Sequence, residues 1–383
     1  MIMALAQSEP PAGKGSAFVS EPRKTITINT ASLPFFRFFA ACIVAFFHFG
    51  QKIEWYPRVP EVFKAGSLMV TFFFVLSGFV LFLGYHQKPF SFRQYMAKRA
   101  VKILPLYYLA FLISVGVLAY AGKLAAADFF LNLFCLHSWV PYPLTVNFTS
   151  WFVSALIFCY CIFPLILYFL RRVKPDGGVM LLVSVLFWAA TQWLVMQIMN
   201  SDTYGGDHYW SYNLIYYFPP FHLCSFFMGI CGAYFLVTRN MKVGCGGIHS
   251  ALVTLFLLGA AAMLVQYEPA LEKLAGCRLP FGVSFYAPVM LLLLLHMTLS
   301  QNPFLKILSW PKLILWGEAS YAVYILQGPL DKLDNYFISS YYDVGTGTHL
   351  VLFSLVLLFF SFLAIMAEKA AGQRLTRQRM SIK

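Results

Sequence analysis

The chain has 383 residues, 60% of them hydrophobic and 11% charged, with a mean hydropathy of +0.70. Soluble domains carry about 25% charged residues, so a soluble globular fold is excluded. The formal net charge of +13 is spread over short segments and forms no basic domain, which points to a lipid bilayer and not to nucleic acid as the partner.

Residues 1–30 are polar and lack the apolar core of a signal peptide, so they read as a cytoplasmic tail. Ten stretches are then long and apolar enough to cross about 30 Å of hydrocarbon as helices. They lie near 33–50, 66–84, 103–121, 150–170, 178–198, 218–238, 248–266, 281–299, 312–329 and 348–367. With a cytoplasmic N-terminus, inside segments hold 20 of the 28 Lys/Arg and outside loops seven, with Arg37 inside a span. Acidic residues run the other way, ten outside and four inside, with Glu318 in a span. The bias predicts that both termini are cytoplasmic. The expectation is an all-α integral membrane protein of about ten transmembrane helices with no appended soluble domain. It divides into a tail (1–30), a polytopic membrane domain (31–368) and a basic cytoplasmic C-terminal tail (369–383).

The first span, SLPFFRFFAACIVAFFHFG, holds Arg37 and His48. A charge at membrane depth costs about 2.5–3.5 kcal/mol even on lenient insertion scales, so such residues are usually functional. Eleven positions at about 100° each come to only about 20° past three turns, with a rise of about 16 Å. One helix face thus presents a cation towards the cytoplasm and an imidazole towards the outside. The plainer alternative is an arginine snorkelling to headgroups and an interfacial histidine.

The second span carries FFFVLSGFVLF, with Ser77 and Gly78 at its middle, and FRQYMAKRAVKILPLYY opens the third with Arg99, Lys102 and Pro105. The fourth begins SWFVSALIFCYCIFP at Ser150, and the ninth reads WGEASYAVYILQGPL. Of eight cysteines only Cys159 and Cys161 are spaced as a pair, and no metal site is expected. The glycine pairs at 177–178, 205–206 and 246–247 mark loops and do not form a phosphate-binding loop.

These motifs, in this order, resemble acyltransferase family 3, the bacterial membrane O-acyltransferases that decorate extracellular polysaccharides. The resemblance runs from about Ser32 to about Phe360. Its most specific element is the arginine and histidine separated by ten residues, here Arg37 and His48. The F-x-L-S-G-F signature is matched by Phe74, Leu76, Ser77, Gly78 and Phe79, and the basic stretch before the third span by Arg99, Lys102 and Pro105. Lysine in place of the second arginine keeps the charge but loses a bidentate fork. In the fourth span Trp151, Ser154, Tyr160, Phe163 and Pro164 fall in register, while Leu156 and Ile157 stand where many members have two glutamates. In the ninth, Ser320, Tyr321 and Tyr324 match, with Gln327 where histidine is common.

The resemblance implies acyl transfer from cytoplasmic acetyl-CoA, or another acyl-CoA, to a hydroxyl of a polysaccharide or lipid-linked glycan outside the bacterial inner membrane, with no bound cofactor. His48 is the expected general base, since an imidazole has an ordinary pKa of about 6.5. Arg37 is expected to bind the donor or to polarise its thioester. Arg99 and Lys102, at the cytoplasmic mouth, fit the CoA phosphates or ordinary positive-inside topology. Ser77, Ser320 and Tyr321 are assigned to the donor side. Glu318 is expected to pair with Arg37 or Arg99, in a structural or a donor-site role.

Trp151 and His222 are candidates for acceptor contact, with His222 level with His48 at the outer end of its span. Aromatics at Trp55-Tyr56, Trp139 with Tyr142, and Tyr209-Trp210 beside Asp207 and His208 fit either sugar binding or an interfacial belt. Two other classes stay open: a polytopic transporter, and an assembly subunit of polysaccharide export without activity. Against the first, no internal repeat is evident and only one carboxylate, Glu318, lies within a span.

Overall fold

Apolar runs in lipid must satisfy their backbone internally, which makes helices the expected outcome. The computed structural model describes residues 28–141, 144–206, 210–338 and 346–381, and these are overwhelmingly helical. The expectations for residues 1–27, Tyr142, Asp207, His208, Tyr209 and Lys383 lie outside the described residues.

In chain order the helices are α1 (Leu33–Phe49), α2 (Gly66–Tyr85), α3 (Phe92–Tyr120), α4 (Ala126–Leu133), α5 (Trp151–Val173), α6 (Gly177–Met199) and α7 (Trp210–Tyr217). They continue as α8 (Pro219–Thr238), α9 (Gly247–Gln266), α10 (Glu268–Ala275), α11 (Ala287–Leu299), α12 (Pro303–Leu308), α13 (Pro311–Phe337) and α14 (Thr346–Ser381). One two-residue parallel pairing, Cys245–Gly246 with Ser300–Gln301, ties the start of α9 to the end of α11.

Eight of the helical segments among the described residues are long and apolar enough to cross a membrane. The eighth predicted stretch is helical only over Ala287–Leu299, 13 residues, because 281–286 form turns. The ninth lies in α13, whose apolar character is interrupted by Glu318 and Gln327. The third begins earlier than its apolar run: α3 starts at Phe92, so Arg99 and Lys102 stand on the helix itself.

Two crossings organise the bundle. α2 packs most extensively on α8, and α1 on α13. At the first, Gly78 faces the Phe226 carbonyl and Gly229 faces that of Val75; a Cβ at either would lie 2.0 or 1.9 Å from the oxygen. Only two glycines permit this approach, the small-residue packing that membrane helices use in place of a hydrophobic drive. The Ser-Gly signature of the second span therefore has a packing reason in Gly78. At the second crossing a Cβ on Gly317 would lie 2.3 Å from Pro34, so α13 meets α1 one turn before Arg37.

Loop ends are tied by side chains. Arg171 donates to the carbonyls of Tyr85 and Lys88, the latter at 2.6 Å, closing the end of α2. Asp176 caps α6 and pairs with Arg239 at 2.9 Å. The Val179 amide, with those of Gly178 and the Arg239 guanidinium, holds its carboxyl below the usual range.

Candidate active site

α1 carries a basic side chain towards each end, Arg37 and His48. At its N-terminal end the Arg37 guanidinium donates through Nη2 to Ser320 Oγ at 3.0 Å, and that hydroxyl donates to the Gly317 carbonyl at 2.8 Å. The close approach at Gly317 thus sets the serine that holds the arginine. Tyr321, one residue on, donates its hydroxyl to the Ile103 carbonyl at 3.0 Å, fixing α13 against α3 beside Lys102. Lys102 lies within electrostatic reach of Arg37 and Arg99, and of Glu318 and Glu368. The Tyr160 phenol lies near both guanidinium groups.

The residues expected to serve the donor are therefore brought together, with the exception of Ser77. That serine is half-buried on α2 and makes no side-chain hydrogen bond among the described residues. Glu318 makes an ion pair with Lys369 of α14, at 2.5 Å, and none is formed with Arg37 or Arg99 among the described residues, although Arg37 is near enough to feel its charge. Arg37, Arg99, Lys102 and Lys369 thus face two carboxylates, Glu318 and Glu368. The excess of positive charge suits an anionic ligand.

At the other end of α1 the half-buried His48 ring stands edge-on to Phe148, centroids 4.6 Å apart. Neither of its ring nitrogens has a hydrogen-bond partner among the described residues, so the imidazole is not committed to a structural bond. Phe148 belongs to a short turn, Phe148–Ser150, that leads into α5. Asn147 caps this turn through Oδ1, which accepts from the Thr149 amide at 3.3 Å and its hydroxyl at 2.9 Å. Its Nδ2 donates to the Ile325 carbonyl of α13 at 3.1 Å.

Ser150 Oγ donates to the Asn147 carbonyl at 2.7 Å and lies 3.0 Å from His137 Nε2. With the serine hydrogen spent on a carbonyl, Nε2 of His137 carries the proton and donates to the hydroxyl. Burial pushes the His137 imidazole down to about 4, against smaller opposing contributions from the Ser150 and Leu131 backbone.

A family model for an acyltransferase domain matches residues 31–367. The chain belongs to acyltransferase family 3. Among curated proteins, the acyltransferase MdmB of Streptomyces mycarofaciens is 26% identical over 324 residues, 78% of each chain. ORF330 of Acidianus two-tailed virus, whose name assigns it only provisionally as an acetyltransferase, is 28% identical over 303 residues, 78% of this chain and 82% of its own. No solved structure matches significantly.

In this acyltransferase the two positions that many members fill with glutamate are apolar in surroundings as well as in sequence. Leu156 is buried in the core and Ile157 packs against it. Trp151 and His222 do come together, centroids 4.9 Å apart. His222 is 2% exposed, stacks on Phe74 at 4.9 Å and donates through Nε2 to the Tyr216 carbonyl at 3.1 Å. Gln327, in the histidine-rich position, is fully buried and donates to the Tyr324 carbonyl at 2.8 Å. Sequence reasoning missed Tyr160 as a neighbour of the cations, and Asn147 and Phe148 as supports of His48. Tyr160 had a signal, its register in the fourth-span motif; the other two had none.

Proposed function

We propose that this multi-pass membrane acyltransferase moves an acyl group, acetyl in the simplest case, from cytoplasmic acyl-CoA to a hydroxyl of a polysaccharide outside the bacterial inner membrane. The observation that carries the reading is α1 itself, with Arg37 held by Ser320 in a cationic cluster at one end and an uncommitted His48 imidazole at the other. Eleven positions of helix set them about 16 Å apart, a distance that the extended pantetheine arm of CoA can cover. The positive-inside bias supports a cytoplasmic position for the cluster.

In this account Arg99 and Lys102 receive the CoA phosphates, and Arg37, deeper in the bundle, binds the donor towards its thioester. A sugar hydroxyl is a poor nucleophile at neutral pH. His48 accepts its proton as the oxygen attacks the thioester carbonyl carbon, forming the C–O bond. The C–S bond then breaks, and the departing thiolate takes up the proton from the imidazolium. A positioned base of this kind contributes about 10²–10⁴-fold.

Mass spectrometry of the surface glycan from cells with and without the gene tests the reading. The expected result is a mass difference of one acyl group per modified repeat, which also identifies the group. An unchanged glycan overturns it.

A further inference from the structure

A histidine that acts as a base is ordinarily oriented by a third group, bonded to its other ring nitrogen. His48 has no such partner among the described residues, and rotation about the terminal torsion of an imidazole is soft. Its plane is therefore set by packing. Phe47 and Phe49, its neighbours on α1, lie at 5.0 and 6.3 Å, and Phe148 lies edge-on at 4.6 Å and 64°. Phe148 is the nearest ring, and among the described residues the only one that another element brings to His48.

The turn that carries Phe148 spends its polar groups on itself and on α13. The buried Thr149 and Ser150 hydroxyls donate to Asn147 Oδ1 and to the Asn147 carbonyl, and Asn147 Nδ2 donates to Ile325 of α13. A Cβ on Gly328 would lie 2.1 Å from Asn147 Oδ1 and 3.6 Å from the Phe148 ring, so glycine lets the turn seat directly on α13. The Phe148 side chain is what the turn presents to α1. Any apolar side chain would exclude water there, whereas a flat edge also sets the plane of a facing ring. α13 holds Arg37 too, through Ser320. One helix thus fastens both ends of α1, the cation directly and the imidazole by way of Asn147 and Phe148.

We propose that Phe148 is a positioning residue for His48: its edge holds the imidazole in the orientation from which a ring nitrogen meets the acceptor hydroxyl. The proposal rests on the acyl-transfer reading above. The test compares full-length Phe148→Leu, Phe148→Tyr and Phe281→Leu. Leucine keeps an apolar side chain and removes the edge, while tyrosine keeps the edge. Phe281, buried against Phe285 and Tyr286, serves as a core truncation outside the site. Mass spectrometry reads glycan acylation relative to protein level in cells. Calorimetry and thermal unfolding of the purified proteins give acetyl-CoA affinity and Tm.

Phe148→Leu should lose about ten- to a hundred-fold in acylation, the cost of misplacing a reacting group by up to about 1 Å, with acetyl-CoA affinity unchanged. Phe148→Tyr should retain most of the rate, and Phe281→Leu should lose Tm without losing acylation. Where leucine prevents accumulation, Phe148→Met takes its place, since its flexible chain fills the space without a fixed edge. Wild-type acylation in Phe148→Leu overturns the proposal, as does a loss that Phe148→Tyr shares in full or that Phe281→Leu reproduces. A fall in acetyl-CoA affinity large enough to account for the loss overturns it as well. A wild-type protein that leaves the glycan unmodified removes the transfer reading and this proposal together, a result distinct from the others.

Discussion

Asn147 donates to the carbonyl of Ile325, and Ile325 is the residue whose carbonyl Pro329 leaves without a helical partner. Proline lacks the N–H that would bond four residues back, so its presence inside α13 frees that group. A side chain from the turn before α5 fills the vacancy. The same turn places Phe148 against His48, so the break in one helix and the seat of the candidate base share a fastening.

Replacing Asn147 by alanine should strand a buried carbonyl and cost about 1–3 kcal/mol. Pro329→Ala returns an N–H to Ile325, so the double variant should lose less than Asn147→Ala alone. Thermal unfolding of the four proteins in detergent gives the coupling. Equal losses on both backgrounds would mean that Asn147 does not act through the freed carbonyl.

His137 supplies a pH signature for the same turn. Its imidazole is held down to about 4 in the fold, against an ordinary 6.5. Between those values the unfolded chain binds a proton that the native one does not, so stability rises with pH in that window. The apparent Tm of the wild type should therefore fall as pH drops from about 6.5 towards 4. His137→Gln should show a shallower decline, since the remaining histidines are common to both proteins. Parallel Tm–pH curves would refute the assignment.

The proposed topology rests on charge and is tested by reporters. Fusions at Lys383 and between α6 and α7 should report opposite sides of the membrane, because 20 of the 28 basic residues then lie inside. Reports from one side would remove the separation of donor and acceptor ends.

What the sequence made legible followed periodicity and charge. Arg37 and His48 could be placed at opposite ends of one face because a helix has a fixed rise and turn. The gathering of Arg99 and Lys102 near Arg37 was approachable because cations mark themselves in an apolar chain. The partner of Glu318 was not, since Lys369 stands 51 positions away and reaches it only through the packing of α14 on α13. Asn147 is neutral and lies in an ordinary loop. Pro329 announced that a carbonyl needed a donor but not which residue would supply it. The lengths of α3 and α11 differed from the apolar runs because α3 continues through the basic residues before its apolar stretch and α11 starts only after the turns over 281–286, neither of which hydropathy registers.

Arg99 and Lys102 should matter to the donor and not to the glycan. Arg99→Ala and Lys102→Ala each remove a cation from the cluster around Tyr160 and Arg37, and each should weaken acetyl-CoA binding by about ten-fold, the worth of one charge-assisted contact. Lys102→Arg keeps the charge and adds a fork that matches phosphate, so it should bind at least as well as wild type. Unaltered affinity in Arg99→Ala would leave that residue a topological role only.

The proposed chemistry depends on His48. His48→Ala removes a half-buried ring that has no hydrogen bond to lose among the described residues, so the protein should still insert and accumulate. Acylation of the glycan should nevertheless fall by about 10²-fold or more, the usual contribution of a positioned base. His48→Gln separates two roles, because glutamine keeps hydrogen-bonding capacity and cannot take and return a proton. If His48 only orients the acceptor, the glutamine variant keeps much of the rate; if it is the base, both variants are nearly inactive. Acetyl-CoA affinity should be normal in both, since the cations lie about three turns away. Full acylation by His48→Gln at normal expression would pass the base role to another residue, and His222, beside Trp151, would be the next to replace.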